Sequence, residues 1–355
     1  MPSSPEERLA TVKRARLKDV ADLAGTSIAT ASRVLSGSNL VSEETRQGIL
    51  AAAKMLNYQP NLHARNLRRR STHSIGLLIP SLMDAYYTAL ADTLDQMLAE
   101  RQYRLLLAST RDDPASERQL LSDMIGQDVD GLIWAPCAPT PDMLERLNNL
   151  RTCVIAIVRR VPGDAVDTVV FEDMADSKAA VQHLINLGHP RIAYIGPDLR
   201  HSCNADRFQG YLAALQEAGL ASDNSLIKLG PDRSTWGVVA TDDLLRLAAP
   251  PSAIFVASNA IMPGVLKTLR LNGISIPEQM SLVCFDDLDW FSFSVPPITA
   301  VSVSHTRLAS IALDLLFARM EHSIPDPPQP ALVRIGCDLV LRGSTAPYRR
   351  PAAPK

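Results

Sequence analysis

The sequence predicts an α/β protein with a small all-α head and a body of two parallel-sheet lobes. Three features predict it. Between residues 16 and 60, apolar residues recur at helical spacing within short capped segments. From Ser74 onward, β-rich apolar runs alternate with amphipathic stretches, the pattern of a parallel sheet covered by helices. After Phe171 the alternation restarts, which doubles the lobe. A chain of 355 residues is also too long for one core.

In the head, Lys18 to about Ala24 form a first helix, with Val20, Ala21, Leu23 and Ala24 at its apolar positions. Gly25 ends it, because a left-handed residue after a helix is least costly as glycine. Ser27 caps a second helix, Ile28 to Leu35, by accepting a backbone N–H bond. Ala21, Gly25 and Ala31 are small where two helices must cross, while Thr30, Ser32 and Arg33 stay outside. Two hydroxyls and a guanidinium on so thin a helix suit a DNA major groove, as in a helix-turn-helix. An ordinary helical hairpin with a solvated polar face suits these residues equally well. Ser42 caps a third helix, Glu43 to about Leu56, whose first turn carries Glu43 and Glu44 to complement the dipole. Ile49, Ala52, Ala53 and Leu56 form its inner face, and Leu17, Ala21, Val34, Leu35, Ile49 and Leu56 are the expected core of the three helices, a marginal one for a unit of about 45 residues.

Residues 1–15 read as a disordered tail, 16–60 as the head and 61–73 as a hinge. In the hinge, Asn61 caps a short helix, Leu62 to Arg68, too short to be stable alone. Leu67 sits beside Arg65, Arg68, Arg69 and Arg70. An apolar wedge among arginines is what minor-groove insertion requires. Packing of Leu67 on the body is the competing reading.

The body spans 74–343. Strands are expected at 74–80, 103–109, 130–135, 152–158 and 167–171, with helices at 84–101, 113–126 and 140–150 between them. The second series has strands at 191–196, 225–229, 252–257 and 281–285, with helices at 173–187, 204–218, 234–247, 259–272 and 304–322. A Pro-rich link and strands near 331–341 follow. Lobe one is assigned about 74–171 and 303–330, lobe two about 172–302 and 331–343, and 344–355 is a tail. Ligands of such sheets bind outside the carboxyl ends of the strands. Those ends carry Ser81, Met83, Asp84, Tyr86 and Tyr87; Arg159 and Arg160; Arg200, His201 and Arg207; Ser258 and Asn259; Asp286 and Asp287.

Charge separates head from body. Residues 1–72 hold twelve Lys/Arg and six Asp/Glu, a net of +6, and the rest of the chain nets −8. A basic head on an acidic body points to a polyanion for the head. The five cysteines are odd in number, widely spaced and mostly within apolar runs, which suits reduced thiols. No apolar run approaches the roughly 18 residues of a membrane span, and the N-terminus lacks a signal-peptide core, so a cytoplasmic protein is expected. No GxGxxG after a strand, P-loop, GxSxG, CxxC or HExxH occurs. A non-enzyme without metal or cofactor is expected, and carboxylates, arginines and rings at strand ends fit recognition of a small polar molecule. His189 and Arg191 look structural.

Taken in order, head, hinge and body resemble the lactose-repressor (LacI/GalR) family of transcription regulators over about residues 16–343. The motifs are LKDVADLAGTSIATASRVLSGSNLVSEETRQGILAAAKMLNYQPN, ARNLRRRSTHSIGLLIPS, DGLIWAP, HLINLGHPRIAYIG, RFQGYLAAL and SLVCFDDLDW. The resemblance implies a periplasmic-binding-protein-like body and a homodimer on a pseudo-palindromic double-stranded operator. By motif position, Ile28 and Ala29 read base edges, with Ser27 beside them at the helix start. Thr30, Ser32 and Asn61 contact the DNA backbone, Arg33 a base or phosphate, and Leu67, with Arg68, the minor groove. In the body, Tyr86 and Tyr87 match an aromatic pair, Arg207 the RxxG arginine and Asp286 a cleft aspartate.

Departures from the family pattern bear on the ligand. Ser258-Asn259 replaces Asn-Asp, and Arg159-Arg160 replaces Asp-Arg, so neutral-sugar contacts are altered. With Arg200 and Arg207, these arginines favour an anion such as a sugar acid or sugar phosphate. Thr26 and Ala31 stand where the family has valine, which weakens the head. The C-terminus has no leucine heptads, so a dimer is expected rather than a tetramer. The expectation is a repressor controlled by a sugar, sugar acid or related metabolite. The alternatives are an activator of the same family, or an exported solute-binding protein with the same bilobed fold, which would need no residues 17–70.

Overall fold

The computed structural model describes residues 15–35, 41–58, 71–148, 152–321 and 329–349. The chain divides into two units, Met1–Thr72 and His73–Lys355. The first holds α1 (Leu17–Leu23), α2 (Ile28–Leu35) and α3 (Glu43–Met55). Gly25 has φ +62°, as a helix stop in the left-handed region requires. The Ser27 and Ser42 hydroxyls accept from the backbone N–H of Thr30 (3.1 Å) and Thr45 (3.4 Å), so both expected caps form. The core is narrower than expected. Val20, Ala21, Ala31, Val34, Ile49, Ala52 and Ala53 are buried, whereas Leu17, Leu35 and Leu56 only pack against them and Leu23 is 52% exposed. Small residues bring the three helices so close that larger side chains remain at the rim.

The second unit contains two six-stranded sheets. The first sheet is built from β1 (Ser74–Ile79), β2 (Arg104–Ser109), β3 (Gly131–Trp134), β4 (Cys153–Ile157), β5 (Asp167–Phe171) and β11 (Leu332–Ile335). Helices α4 (Ala85–Glu100), α5 (Pro114–Gly126) and α6 (Pro141–Asn148) connect its early strands. The second has β6 (Ile192–Pro197), β7 (Ile227–Gly230), β8 (Ala253–Val256), β9 (Ser281–Phe285), β10 (Thr299–Ser302) and β12 (Asp338–Val340). With it go α7 (Asp173–Asn186), α8 (Ser202–Glu217), α9 (Ser234–Leu245) and α10 (Met262–Leu271), while α11 (His305–Glu321) packs on α4, β4 and β5. The strand orders are β11-β5-β4-β3-β1-β2 and β12-β10-β9-β8-β6-β7. All pairings are parallel except β10 with β12. Central strands β3, β5, β6, β8 and β9 are buried along their whole length, which is why they read as apolar runs without alternation.

Three features depart from the sequence-based expectation. Residues 331–343 do not all belong to lobe two, because β11 pairs with β5 in the first sheet before β12 joins the second. The outer edge of β5 needs a hydrogen-bonding partner, and periodicity cannot say which of two sheet edges a short strand will cover. Strand β10 was not expected, since four residues after Pro296-Pro297 carry too little pattern. Nor is 344–355 simply a tail. Ser344 is fully buried, its hydroxyl donating to Leu282 O (2.6 Å) and accepting from Thr299 N (2.8 Å), and Tyr348 N donates to Leu187 O (2.8 Å). The His189 ring nitrogens face Ser252 Oγ (3.0 Å) and Ala346 O (3.1 Å), the structural role expected of that histidine.

The chain therefore passes between lobes at Glu172, at 303–304 and at 336–337. Two of these passages are joined, since Glu172 N donates to Ile335 O (2.9 Å) and Cys337 N to Asp176 Oδ2 (3.0 Å). All five cysteines are free thiols.

Candidate functional site

Between the strand ends of the two lobes lies a cleft of about 950 Å³. Tyr86, Tyr87, Arg159, Arg207, Ser258 and Asp286, the six ligand-site residues expected from sequence, all line it. Arg200 lines it too, whereas Arg160 is not among the lining residues.

On the lobe-one wall, Asp84 caps α4 by accepting from Tyr86 N (3.0 Å). The cap places Tyr86 and Tyr87, the second and third residues of α4, at the cleft with rings 5.4 Å apart and edge-on; Phe171 stands 6.1 Å from Tyr86. Tyr86 is only 8% exposed, and among the described residues its hydroxyl has no hydrogen-bond partner. Burial, then the Asp286 carboxylate nearby, pushes the Asp84 carboxyl up to about 6. After β4, Val158 takes φ +64° and Arg159 N folds back onto Ile157 O (2.6 Å), a tight three-residue turn. That turn aims Arg159 at Asp112 Oδ1 (2.6 Å) and Pro136 O (3.0 Å). His201, from lobe two, meets the other oxygen of Asp112 at 2.8 Å. Burial alone would raise Asp112, but the His201 bond and the Arg159 charge hold its carboxyl well below the usual range.

The lobe-two wall is organised by Arg207 on α8. Its Nε donates to Asp173 Oδ1 (2.7 Å) and its Nη1 to Ala257 O (2.9 Å), with Asp286 Oδ2 at 3.7 Å. The guanidinium lies 3.7 Å over the Phe285 ring. Gly210, one turn along α8, makes this possible: a Cβ there would collide with the carbonyl oxygen of Met174, so only glycine lets α8 approach α7 and its Asp173. Burial pushes the Asp173 carboxyl up, against the pull of Arg207. Asp286 has φ +69° and accepts from Asn259 Nδ2 (3.0 Å); Ser258 Oγ donates to Asp232 Oδ1 (2.6 Å).

The four arginines from which an anion was expected are each paired with a carboxylate of the protein, while Arg111 and Arg233, which also line the cleft, are exposed. Arg159 pairs with Asp112, Arg160 with Asp206 (2.5 Å), Arg200 with Asp198 (2.9 Å) and Arg207 with Asp173. Asp112, Asp173, Asp206 and Asp232 were not singled out from sequence. Asp112 and Asp232 follow the edge strands β2 and β7, whose ends are hard to place, and α7 and α8 are brought together only by packing.

On the first unit, α2 presents Ile28 (49% exposed) and Ala29 at its start. Ser27 is exposed but its hydroxyl is committed to the cap and to Thr30 Oγ1 (2.8 Å). Ser32 is half-buried, and exposed Arg33 turns back so that Nε donates to Ala29 O (3.3 Å). Asn61, Leu67 and Arg68 lie outside the described residues.

Residues 16–61 match the model for bacterial regulatory proteins of the lacI family, and 181–345 the periplasmic binding protein-like domain. The chain is 31% identical over 330 residues to the HTH-type transcriptional repressor PurR of Actinobacillus pleuropneumoniae serotype 3, covering 93% of this chain and 98% of that protein. It is 32% identical over 299 residues to the HTH-type transcriptional regulator GalS of Salmonella typhimurium, covering 84% and 88%. Among solved structures, the transcriptional regulator CelR–cellobiose complex matches with a TM-score of 0.69 at 29% identity, covering 93% of this chain and 100% of that one. The lac repressor dimer bound to operator and the anti-inducer ONPF matches in fold, with a TM-score of 0.80 at 22% identity over 94% and 100%.

Proposed function

The chain belongs to the lacI family of bacterial regulatory proteins and is a DNA-binding transcriptional regulator controlled by a small polar ligand, and we propose that it acts as a homodimeric repressor reading operator DNA through α2. The observation that carries the operator reading is the exposed Ile28–Ala29 pair at the start of a capped helix, on a head of net charge +6 over residues 1–72. Neither side chain can hydrogen-bond, so thymine methyl groups are their targets. Arg33 reaches guanine by leaving the Ala29 carbonyl, and Thr30 and Ser32 serve the phosphates. No helix of the described residues is long and apolar enough to cross a membrane.

The ligand occupies the cleft between the lobes. It shifts operator affinity by its differential affinity for two states of the body, typically about 1–3 kcal/mol of coupling. Binding-site selection with the purified full chain tests the proposal. A pseudo-palindromic site is expected, and Arg33→Ala costs about 1–3 kcal/mol and relaxes one position per half-site. An unchanged base preference in the variant would remove Arg33 from base readout, and selection of no site would overturn the α2 reading.

A further inference from the structure

We infer that the cleft carries its own latch: Asp112 with His201, and Arg160 with Asp206 and Ser202, bond lobe one to lobe two and bias the body toward its closed state, and with it the affinity for operator. This rests on the cleft being the effector site and on its state being coupled to the head.

The ion pairs around the cleft are of two kinds. Arg207 with Asp173, Arg200 with Asp198 and Arg159 with Asp112 each lie within one lobe and do not need the lobes to meet. The others form only while the lobes are together. Arg160, following β4, grips both carboxylate oxygens of Asp206 on α8 (2.5 and 3.0 Å), and its backbone N–H donates to Ser202 Oγ (2.7 Å). Asp112, following β2, meets His201 Nε2 at 2.8 Å with one oxygen while the other holds Arg159 (2.6 Å). Bidentate and charge-assisted bonds of this kind are the stronger ones. The side chains of His201 and Asp206 are only 6% and 20% exposed, and parting the lobes would take these partners from them.

The strand orders place the two contacts apart. The chain crosses between lobes after β5, after β10 and between β11 and β12. In the first sheet β11 and β5 form one edge, β4 stands next to β5, and β2 is the opposite edge. In the second, β12 and β10 form one edge, and β6, which leads to His201, stands next to the opposite edge strand β7. Arg160 and Asp206 thus close the cleft near the crossings. Asp112 and His201 close it on the far side, where opening about those crossings separates the lobes most.

Backbone strain marks the same place independently. Arg111 and Asp112 are successive residues with φ +55° each. Asn57, Gln102 and Asp128 also have positive φ, but each follows a helix end, where the left-handed region is common. Arg111 and Asp112 follow a strand. Their turn is held by Ser109 and Thr110, whose hydroxyls accept from Arg111 N (3.4 Å) and Asp112 N (3.3 Å). Such strain persists where surrounding bonds over-determine it, and the Asp112 carboxylate has two, one from each lobe.

The test reads the distance across the cleft in the full-length protein, without DNA. Nitroxide labels go on Thr88→Cys and Thr235→Cys, exposed positions of α4 and α9. Labelled chains are mixed with excess unlabelled protein so that double electron–electron resonance reports within one chain, and a sample lacking the two introduced cysteines is the blank. The intact latch is expected to give one short distance. His201→Ala with Asp206→Asn is expected to add a longer one; His201 gives α8 no side-chain cap, so the helix start is kept. Arg160→Asp alone should open the cleft, and Arg160→Asp with Asp206→Arg, the exchanged pair, should close it again, with thermal unfolding as the folding control. Operator from binding-site selection is expected to bind the opened variants with affinity changed by about fivefold or more, and the exchanged pair with affinity near the original. A distance unchanged in His201→Ala with Asp206→Asn overturns the latch, as does an exchanged pair no more closed than Arg160→Asp alone. Opening without a change in operator affinity overturns its regulatory role. If the unaltered protein selects no operator, the α2 reading fails and the distances still decide the latch.

Discussion

The two lobes have corresponding strand orders, and each bends its backbone at the same place. Strands β4 and β9 stand third in their sheets, and the residue following each, Val158 and Asp286, has positive φ at the cleft. Aspartate tolerates the left-handed region; a β-branched residue there is an outlier. Lobe two turns its chain with a residue that also presents a carboxylate. In lobe one, Val158 stores strain and hands the polar work to its neighbour Arg159. Burial differs in step with this: Arg207 and Asp173 are almost fully enclosed, whereas Asp112, the partner of Arg159, keeps 31% of its side chain in contact with water. Of the two arginine pairs, that of lobe two is thus the enclosed one and that of lobe one the more hydrated.

Breaking that contrast is most direct at the two arginines. Arg207→Ala leaves Asp173 buried without a partner and should cost about 3–5 kcal/mol in urea unfolding. Arg159→Ala should cost no more than about 1–3 kcal/mol, because Asp112 keeps His201 and water. Equal losses would mean that the lobes do not differ as described. Asp84 gives the next largest effect, in the opposite direction. Its carboxyl, raised to about 6, is protonated more readily in the folded than in the unfolded chain. Stability therefore falls as pH rises from about 4 to about 6, and the penalty persists above. Asp84→Asn, which can still cap α4, should stabilise the protein by about 1–3 kcal/mol at pH 7.5 and by nothing below pH 4. Melting curves of both proteins across that range provide the check. The smallest effect sharpens the comparison of the turns. Val158→Gly loses buried surface but relieves a strain of about 1–3 kcal/mol, so its net cost should stay below about 1 kcal/mol. Val170→Gly, equally buried within β5, should cost about 3 kcal/mol. Similar costs at both valines would show that the positive φ stores little.

Much of the cleft was legible because a strand's carboxyl end is where a parallel sheet opens to solvent. Polar residues after long apolar runs, such as Arg159 after CVIAI and Asp286 after SLVCF, mark those ends without a structure. Asp112 and Asp232 follow the edge strands β2 and β7, which are short or half-exposed and blur into their loops. Asp173 opens a helix like any N-terminal carboxylate, and its sequence position carries no sign that Arg207 will reach it. The head shows the same division. Ser27, Gly25 and Ser42 act within a few residues and were readable, as was the inner face of Ile49, Ala52 and Ala53, while the exposure of Leu23 and the rim positions of Leu17, Leu35 and Leu56 depend on how closely three helices approach.

The sequence by itself determined what local forces decide: the capped helices of the head, the two runs of strand and helix, and the family to which their order belongs. Tertiary structure decided what depends on pairing across distance. It assigned β11 to the first sheet, drew Ser344 into the second lobe and matched three of the arginines lining the cleft, Arg159, Arg200 and Arg207, to carboxylates between 2 and 47 residues away. That last outcome commits to the protein itself the arginines on which the expectation of an anionic ligand rested. A charged side chain carries no mark in the sequence of whether its partner will be a ligand or the protein itself, because Coulomb attraction depends on distance through space and on burial.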